Sequence, residues 1–403
     1  MEPLQILPVP CEAWGSSVSW RTIARAWNEF FFEPRSPIPI ALLRIVLALI
    51  VLIDAAMLLP DWLTWYGPRG FVTLGTLQQL EYGPRLNVFA YLPQTDFWAY
   101  AVFYALVISA MFLFAGLFTR ASSIAVFVLV ASVHQRNLYI VHSGDTLLRC
   151  SLFFLMFAPA GAALSLDRLR NIWRGEEGPE IRPRAPWAQR MIQIELSLLY
   201  FTTFWSKTLG PAWVDGTALY YVYRLNEFHR FPLPEFLNNL TLVKLQTWFT
   251  LAAEFSLGVL IWIKELRYPI LLLGVFLHLS LEYSINAPMF QWTILAVYLS
   301  FVDAGVLERA WLRIRRRVTS GSGEPVLVEY GPQLVESRRG ADVLSALDIF
   351  GRLRLVNSRQ GRSAGAFVVA GIPSLVRIAP RLWLGGRSHP IAADATLGSG
   401  LTR

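Results

Sequence analysis

The sequence predicts an all-α polytopic membrane protein of about eight transmembrane helices, both termini cytoplasmic, followed by a small α/β tail domain. Three observations predict it. Hydrophobic residues make up 54% of the chain and charged residues only 16%, far from soluble-domain averages. Apolar stretches of membrane-crossing length recur between residues 39 and 306. Arginines gather in alternate connections between them, as positive-inside topology requires. The net charge of +8 is thus a feature of topology and calls for no nucleic-acid partner. Cys11 and Cys150 are the only cysteines, too few for a disulfide framework or a metal-ligand cluster.

Residues 1–38 lack the basic-then-apolar pattern of a cleavable signal, so insertion is expected to rely on the first membrane helix. Within them, "SWRTIARAWNEFF" sets Trp20, Ile23, Trp27 and Phe30 on one helical face. That is either an amphipathic helix on the cytoplasmic surface or a soluble helix packed on a neighbour. Eight stretches approach the ~20 residues a spanning helix needs: 39–59, 97–118, 121–141, 146–166, 187–207, 243–263, 268–286 and 288–306. The last two are short, and Asn286-Ala287-Pro288 between them reads as a tight turn. Connections holding Arg21, Arg25, Arg35, Arg120, Arg168, Arg170, Arg174, Arg182, Arg184, Lys264 and Arg267 alternate with others holding Arg69, Arg85, Arg136, Arg224 and Arg230. The richer set faces the cytoplasm, which places a 39–312 domain in the inner or plasma membrane with both ends inside. "TSGSGEP" marks a flexible linker over 313–323. Residues 324–384 have soluble composition and form the tail domain, and 385–403 read as disordered.

Ionisable groups at membrane depth are costly and face a cavity or a partner. They are Arg44 and Asp54 in span 1, Asp145 and Arg149 opening span 4, Glu195 and Lys207 in span 5, Glu254 in span 6, and His278 and Glu282 in span 7. The topology sorts Asp54, His142, Asp145, Arg149, Lys207, His278 and Glu282 into the outer half, which predicts a polar cavity opening outward. Structural roles compete with that reading. Asp145 and Arg149 are four residues apart and suit an ion pair, and His278 and Glu282 suit a hydrogen-bonded pair. Arg44 can snorkel to the cytoplasmic surface. Glu195 and Glu254 read as satisfying one another or a buried arginine, with no catalytic part.

Lys207 is different. The chain has three lysines, Lys207, Lys244 and Lys264, against thirty-three arginines. A snorkelling anchor is served equally well by arginine. Only an amine can become a neutral base near neutral pH, because guanidinium stays protonated. Beside Tyr200, Phe204 and Trp205, an amine in so lysine-poor a chain suggests proton chemistry.

The same residues carry a family resemblance. "YFTTFWSKTLGPAWVDG" resembles the segment of vitamin K-dependent γ-carboxylases that holds their catalytic lysine, with one extra residue between Lys207 and Trp213. "ALLRIVLALIVLID", "GLFTRAS", "HSGDTLLRCSLFFLMFAPAGAALSLD" and "FLHLSLEYSINAPMFQWTILAVYLSFV" fall in the family's order. Together, over about 20–312, they resemble the bacterial branch of that superfamily, the horizontally transferred transmembrane (HTTM) domain proteins. The resemblance implies that a neutral lysine deprotonates a hydroquinone, whose anion reacts with O₂ to give a strong base that takes an unactivated proton from substrate. Lys207 matches the base, and His278 matches a histidine that stabilises an oxyanion. His142 or Asp145 matches a further active-site position. Arg149, Glu282, Asp54, Trp205 and Trp213 are supporting or substrate-binding candidates. The cofactors implied are a reduced quinone (menaquinol, ubiquinol or vitamin K-like), O₂ and, for a carboxylation, CO₂, with no metal. The partners implied are membrane lipid, the quinone and a secreted peptide as acceptor. Animal carboxylases build their glutamate site on a large lumenal region, and nothing of that length comes after span 8 here, so the quinol half is the better supported.

The tail, "EPVLVEYGPQLVESRRGADVLSALDIFGRLRLVNSRQ", resembles the thioredoxin-like DCC thiol-redox domains, with strands expected at 326–330 and 353–357 and a helix at 335–348. Pro332 and Val335 stand where those domains carry cysteines, so thiol–disulfide exchange is excluded. The reading is a quinol-dependent oxygenase or carboxylase-like enzyme. Its rivals are a non-catalytic accessory protein for maturation or export of a secreted peptide, and a proton-coupled transporter. The transporter lacks the internal repeat or paired broken helices that would announce it.

Overall fold

The structure is a computed structural model that describes residues 19–80, 86–225, 229–232, 234–319, 326–357, 367–369 and 372–384. The expectations for residues 1–18 (Cys11 among them) and for a disordered 385–403 lie outside the described residues. Helices dominate. Helix α1 (Trp20–Phe32) starts where the Ser19 hydroxyl accepts from the Arg21 N–H. Trp20, Ile23 and Trp27 on it are exposed, so its apolar stripe points away from the protein, whereas Phe31 packs inward. A helix stands at each predicted span: α2 (Ile38–Leu58), α3 (Asp96–Ala115), α4 (Thr119–Arg136), α5 (Ser143–Leu155), and, after the short α6 (Leu166–Arg174), α7 (Trp187–Thr208). Then come α8 (Leu240–Gly258), α9 (Arg267–Ser284), α10 (Phe290–Val297) and α11 (Ala304–Thr319). Among the described residues, Ile38–Tyr66 and Asp96–Ala115 are long and apolar enough to cross a membrane alone. The bent pair Phe290–Phe301 and Ala304–Arg317 makes a third if it counts as one span.

Four sequence expectations are corrected. The predicted span 146–166 stays helical only to Leu155, because Pro159 and Gly161 interrupt the turns beyond it. Arg44 explains how the interrupted end is tolerated. It does not snorkel but is fully buried (0% exposed), and its guanidinium donates to the carbonyls of Ala160 (2.9 Å) and Leu164 (2.5 Å). Buried non-helical backbone must be satisfied by protein. The predicted span 288–306 is likewise not straight, since the chain turns through 104° before Ala304. The predicted linker 313–323 is helical through Thr319, as the last turns of α11, and is tied to the tail by Trp311 Nε1 donating to Ile349 O (2.9 Å).

Close approaches depend on two glycines. Gly116 ends α3 in the left-handed conformation (φ 67°), and a Cβ there would meet Ser165 at 2.5 Å. That proximity lets the Asp167 carboxylate cap α4, accepting from the N–H groups of Phe118 and Thr119 and from the Thr119 hydroxyl. Gly274 on α9 leaves room for Tyr298, whose hydroxyl would collide with a Cβ at that position.

In the tail, β1 (Val326–Tyr330), α12 (Val335–Leu347), β2 (Leu353–Asn357), β3 (Phe367–Val368) and α13 (Ile372–Leu384) form a sheet with helices. The order is β2-β1-β3, all parallel, with Val328 opposite both Leu355 and Phe367. The tail does not have its own separate core. Val328, Leu344, Ile378 and Leu382 pack with Ile172 of α6, backed by Leu169 and Trp173, so α6 and the tail share one apolar cluster.

Candidate functional site

Helices α7, α8, α9 and α10 enclose a cavity of about 830 Å³. Helical spacing aims the side chains. Tyr200, Thr203 and Lys207 succeed one another at three and four residues on α7, and Gln246, Thr250 and Glu254 at four and four on α8. Helix α9 contributes Leu277, His278 and Leu281, and α10 contributes Phe290, Gln291 and Ile294. His142 and Ser143 enter at the start of α5. Most of the wall is aromatic or aliphatic, as small-molecule sites are.

A strap closes one end. His229 pairs with Ile285 as an isolated antiparallel bridge, Tyr283 donates to the carbonyl of Pro232 (2.9 Å), and Phe231 packs on the Tyr283 ring. Pro234 and Leu237 then line the cavity. Tyr223, also on the wall, donates to Gln246 Oε1 at 2.5 Å, and burial pushes its phenol above the usual range.

Lys207 occupies the last turn of α7, where the helix dipole favours a cation. Its ammonium is hydrogen-bonded to Glu254 Oε1 and lies over the Trp213 ring, 4.7 Å from the centroid. The pair is only partly exposed, 26% for the lysine side chain and 10% for the glutamate. Glu254 Oε2 is buried without a hydrogen-bond partner among the described residues. The expectation that Glu254 serves Glu195 or an arginine is therefore corrected. It serves Lys207, while Glu195 accepts from the Ser151 hydroxyl (3.3 Å).

His278 belongs to a second polar group. Its Nδ1 meets Gln291 Oε1 at 2.5 Å and its Nε2 meets the Tyr200 hydroxyl at 2.5 Å, which in turn lies 2.6 Å from the Tyr298 hydroxyl. With the amide oxygen facing Nδ1, that nitrogen carries the proton and Nε2 accepts from Tyr200. Tyr200 oxygen then accepts from Tyr298. Both ring nitrogens of His278 are thereby engaged within the protein. The anticipated His278–Glu282 pair does not form. Glu282 is ion-paired with Arg230 of the strap and accepts from Trp292 Nε1 (3.2 Å), which places it at the closure.

Of the site candidates read from the sequence, Lys207, His278, His142 and Trp213 share the cavity, as do Tyr200 and Glu254, which the sequence named beside them. Asp145 stands behind His142 and forms the start of α5: its Oδ2 accepts from the His142 N–H (2.9 Å), and His142 Nδ1 accepts from the Gly144 N–H (3.0 Å). It faces His134 at 3.9 Å and makes no ion pair with Arg149, whose Nη1 is buried without a hydrogen-bond partner among the described residues. Asp54 lies off the cavity, within electrostatic reach of Asp145. Trp205 points outward at 59% exposure, off the cavity wall. Sequence reasoning missed Gln291 and Tyr298 and misassigned Glu254. The signal for Glu254 was its depth, and for Gln291 an amide inside an apolar run.

A family model for the HTTM domain matches residues 32–305, which takes in every helix that builds the cavity. No curated protein and no solved structure matches the chain.

Proposed function

The chain belongs to the HTTM domain family, and from that premise we propose that it is a γ-carboxylase-like integral membrane enzyme that couples oxidation of a quinol by O₂ to modification of a substrate. The observation that carries this reading is the Lys207–Glu254 pair set in the wall of a cavity of about 830 Å³.

The cavity suits a reduced quinone. Phe249, Phe276, Phe290 and Trp213 offer faces for a planar ring, and the polar groups are few and placed on separate walls. Such a quinol, when bound, supplies hydroxyl protons and the two electrons that O₂ takes up. Lys207 Nζ is the group that removes a hydroxyl proton. Trp213 and Glu254 hold that nitrogen in place. His278 does not face the ring with a free N–H; it orients the Tyr200 hydroxyl and acts through it. His142, on the third wall, has Nε2 3.0 Å from Pro288 O and fixes the turn into α10. The acceptor, a peptide side chain, would enter past the strap, whose described residues are 229–232 and 234–238.

Eight crossings with both termini cytoplasmic, in an inner or plasma membrane, suit the contacts at each end. The segment before α2 pairs with the α6–α7 connection through Arg35 and Arg184, and the tail shares its core with α6. The strap joins the turn after α9 at the other end. These groupings support the sides that the arginine distribution assigns.

The test is purified protein in nanodiscs supplied with a reduced naphthoquinone. O₂ uptake should rise in proportion to protein and vanish without the quinol. No uptake above lipid-only nanodiscs, in protein that quenches tryptophan fluorescence on binding the quinone, contradicts the proposal.

A further inference from the structure

An ammonium held by a carboxylate is not a base. For Lys207 to accept a proton its own must leave, and the only acceptor in hydrogen-bond contact with Nζ among the described residues is Glu254. We propose that Glu254 is the positioning residue that takes this proton, so that ligand entry converts the Lys207–Glu254 ion pair into a neutral amine and a neutral carboxylic acid. The inference rests on the reading of Lys207 as the base.

Three features of the geometry carry it. First, the carboxylate is poorly satisfied. Oε1 has Lys207, but Oε2 is buried and has no partner among the described residues. A charged carboxylate needs several donors to hold its charge in an apolar wall, and a protonated one needs fewer. Second, the neighbours of the pair on the wall, Thr203, Thr250, Phe249 and Trp213, bring no second cation to replace the lysine as counter-ion. Thr203 and Thr250 hydroxyls are already turned to helix carbonyls, Leu199 O and Gln246 O, both at 2.9 Å. Third, the pair is only partly exposed, 26% for the lysine side chain and 10% for the glutamate, and a ring bound in the cavity they both line would cover it. With the solvent gone, the ion pair loses its hydration and the hydrogen bond between the partners becomes a path for the proton.

The step balances. The Nζ–H bond breaks and an O–H bond forms on Glu254, and the net charge of the pair stays zero. The freed lone pair then takes a hydroxyl proton from the quinol. The site ends with one more proton than it held, on Glu254, and the quinol is left as its anion. Trp213 retains its contact with the nitrogen throughout, since an aromatic face binds the regenerated ammonium.

Infrared difference spectra of the full chain in nanodiscs, recorded without O₂ as a reduced naphthoquinone is added, read this proton directly. Wild type should gain a protonated-carboxyl C=O band and lose carboxylate absorbance. Glu254→Gln should bind the quinol by tryptophan quenching and lack the band. Lys207→Arg should also lack it although Glu254 is present, because guanidinium keeps its proton. Glu254→Asp, a milder change, should retain the band at a shifted frequency. A band that persists in Glu254→Gln, or none in wild type that binds quinol, overturns the proposal. Absence of O₂-dependent turnover in protein that shows the band would overturn the oxidase reading and leave the proton transfer standing. Failure of the quinol to bind at all would remove both.

Discussion

The α7–α10 half of the protein and the α2–α5 half each carry buried or half-buried ionisable residues, yet they use them differently. In the first, Lys207, Glu254 and His278 line a cavity of about 830 Å³. In the second, Arg44 closes an interrupted helix end, Arg136 donates to the carbonyls of Gly67 (2.9 Å) and Val72 (2.6 Å), and Asp145 caps α5. A buried charge is thus evidence of need, and in the second half the need is that of backbone groups. What separates the halves is where the charges stand: the first set on a cavity wall, the second on backbone groups.

The largest effect expected from that contrast is at Lys207. Lys207→Ala should lower quinol oxidation by about 10²–10⁴-fold, the usual worth of a general base, while leaving binding measurable by tryptophan quenching. Wild-type turnover in this variant would move the chemistry elsewhere. Next, Tyr200→Phe removes the hydroxyl that joins His278 to Tyr298. Leaving buried partners unsatisfied should cost about 1–3 kcal/mol in denaturant unfolding, with turnover falling by a smaller factor than in Lys207→Ala. A stable and fully active Tyr200→Phe protein would reduce the His278 chain to packing.

The opposite half should respond in stability alone. Asp145→Ala loses a capping bond and should cost about 1 kcal/mol, with turnover per folded molecule unchanged. A selective loss of turnover would return Asp145 to the site. Ending the chain after Thr319 should expose Ile172 and Trp173, lowering thermal stability without slowing quinol oxidation in the fraction that remains folded. Clean loss of turnover in folded protein would mean the tail takes part. Smallest of all, Trp205→Leu should stay within about 0.5 kcal/mol of wild type and bind quinone normally, because Trp205 faces away from the cavity.

Much of the fold was legible because apolar length reports directly on apolar helices. Each predicted span has its helix, and the tail strands at 326–330 and 353–357 fall where the resemblance put them. Helix ends were less legible. That the segment after Leu155 can leave the helix while buried relies on Arg44, more than a hundred residues away in sequence, satisfying the carbonyls of Ala160 and Leu164. Of the site, Lys207 stood out by composition and His278 and Trp213 by resemblance, and all three share the cavity. Pairings were the weak point. Spacing of four residues suggested Asp145 with Arg149 and His278 with Glu282, but Asp145 turned to His142 and His134, and Glu282 to the strap. Sequence spacing reports which side chains share a helix face, and it is silent about what the facing helix offers.

The central claim, that Lys207 is a base and not an anchor, is tested most directly by O₂-dependent quinol oxidation in Lys207→Arg nanodiscs matched to wild type for bound quinone. Arginine keeps the charge, the contact with Trp213 and a donor for Glu254, and denies the site a neutral nitrogen. The account predicts a folded, quinone-binding protein whose oxidation rate falls at least as far as that of Lys207→Ala. A Lys207→Arg protein that oxidises quinol at the wild-type rate would contradict it.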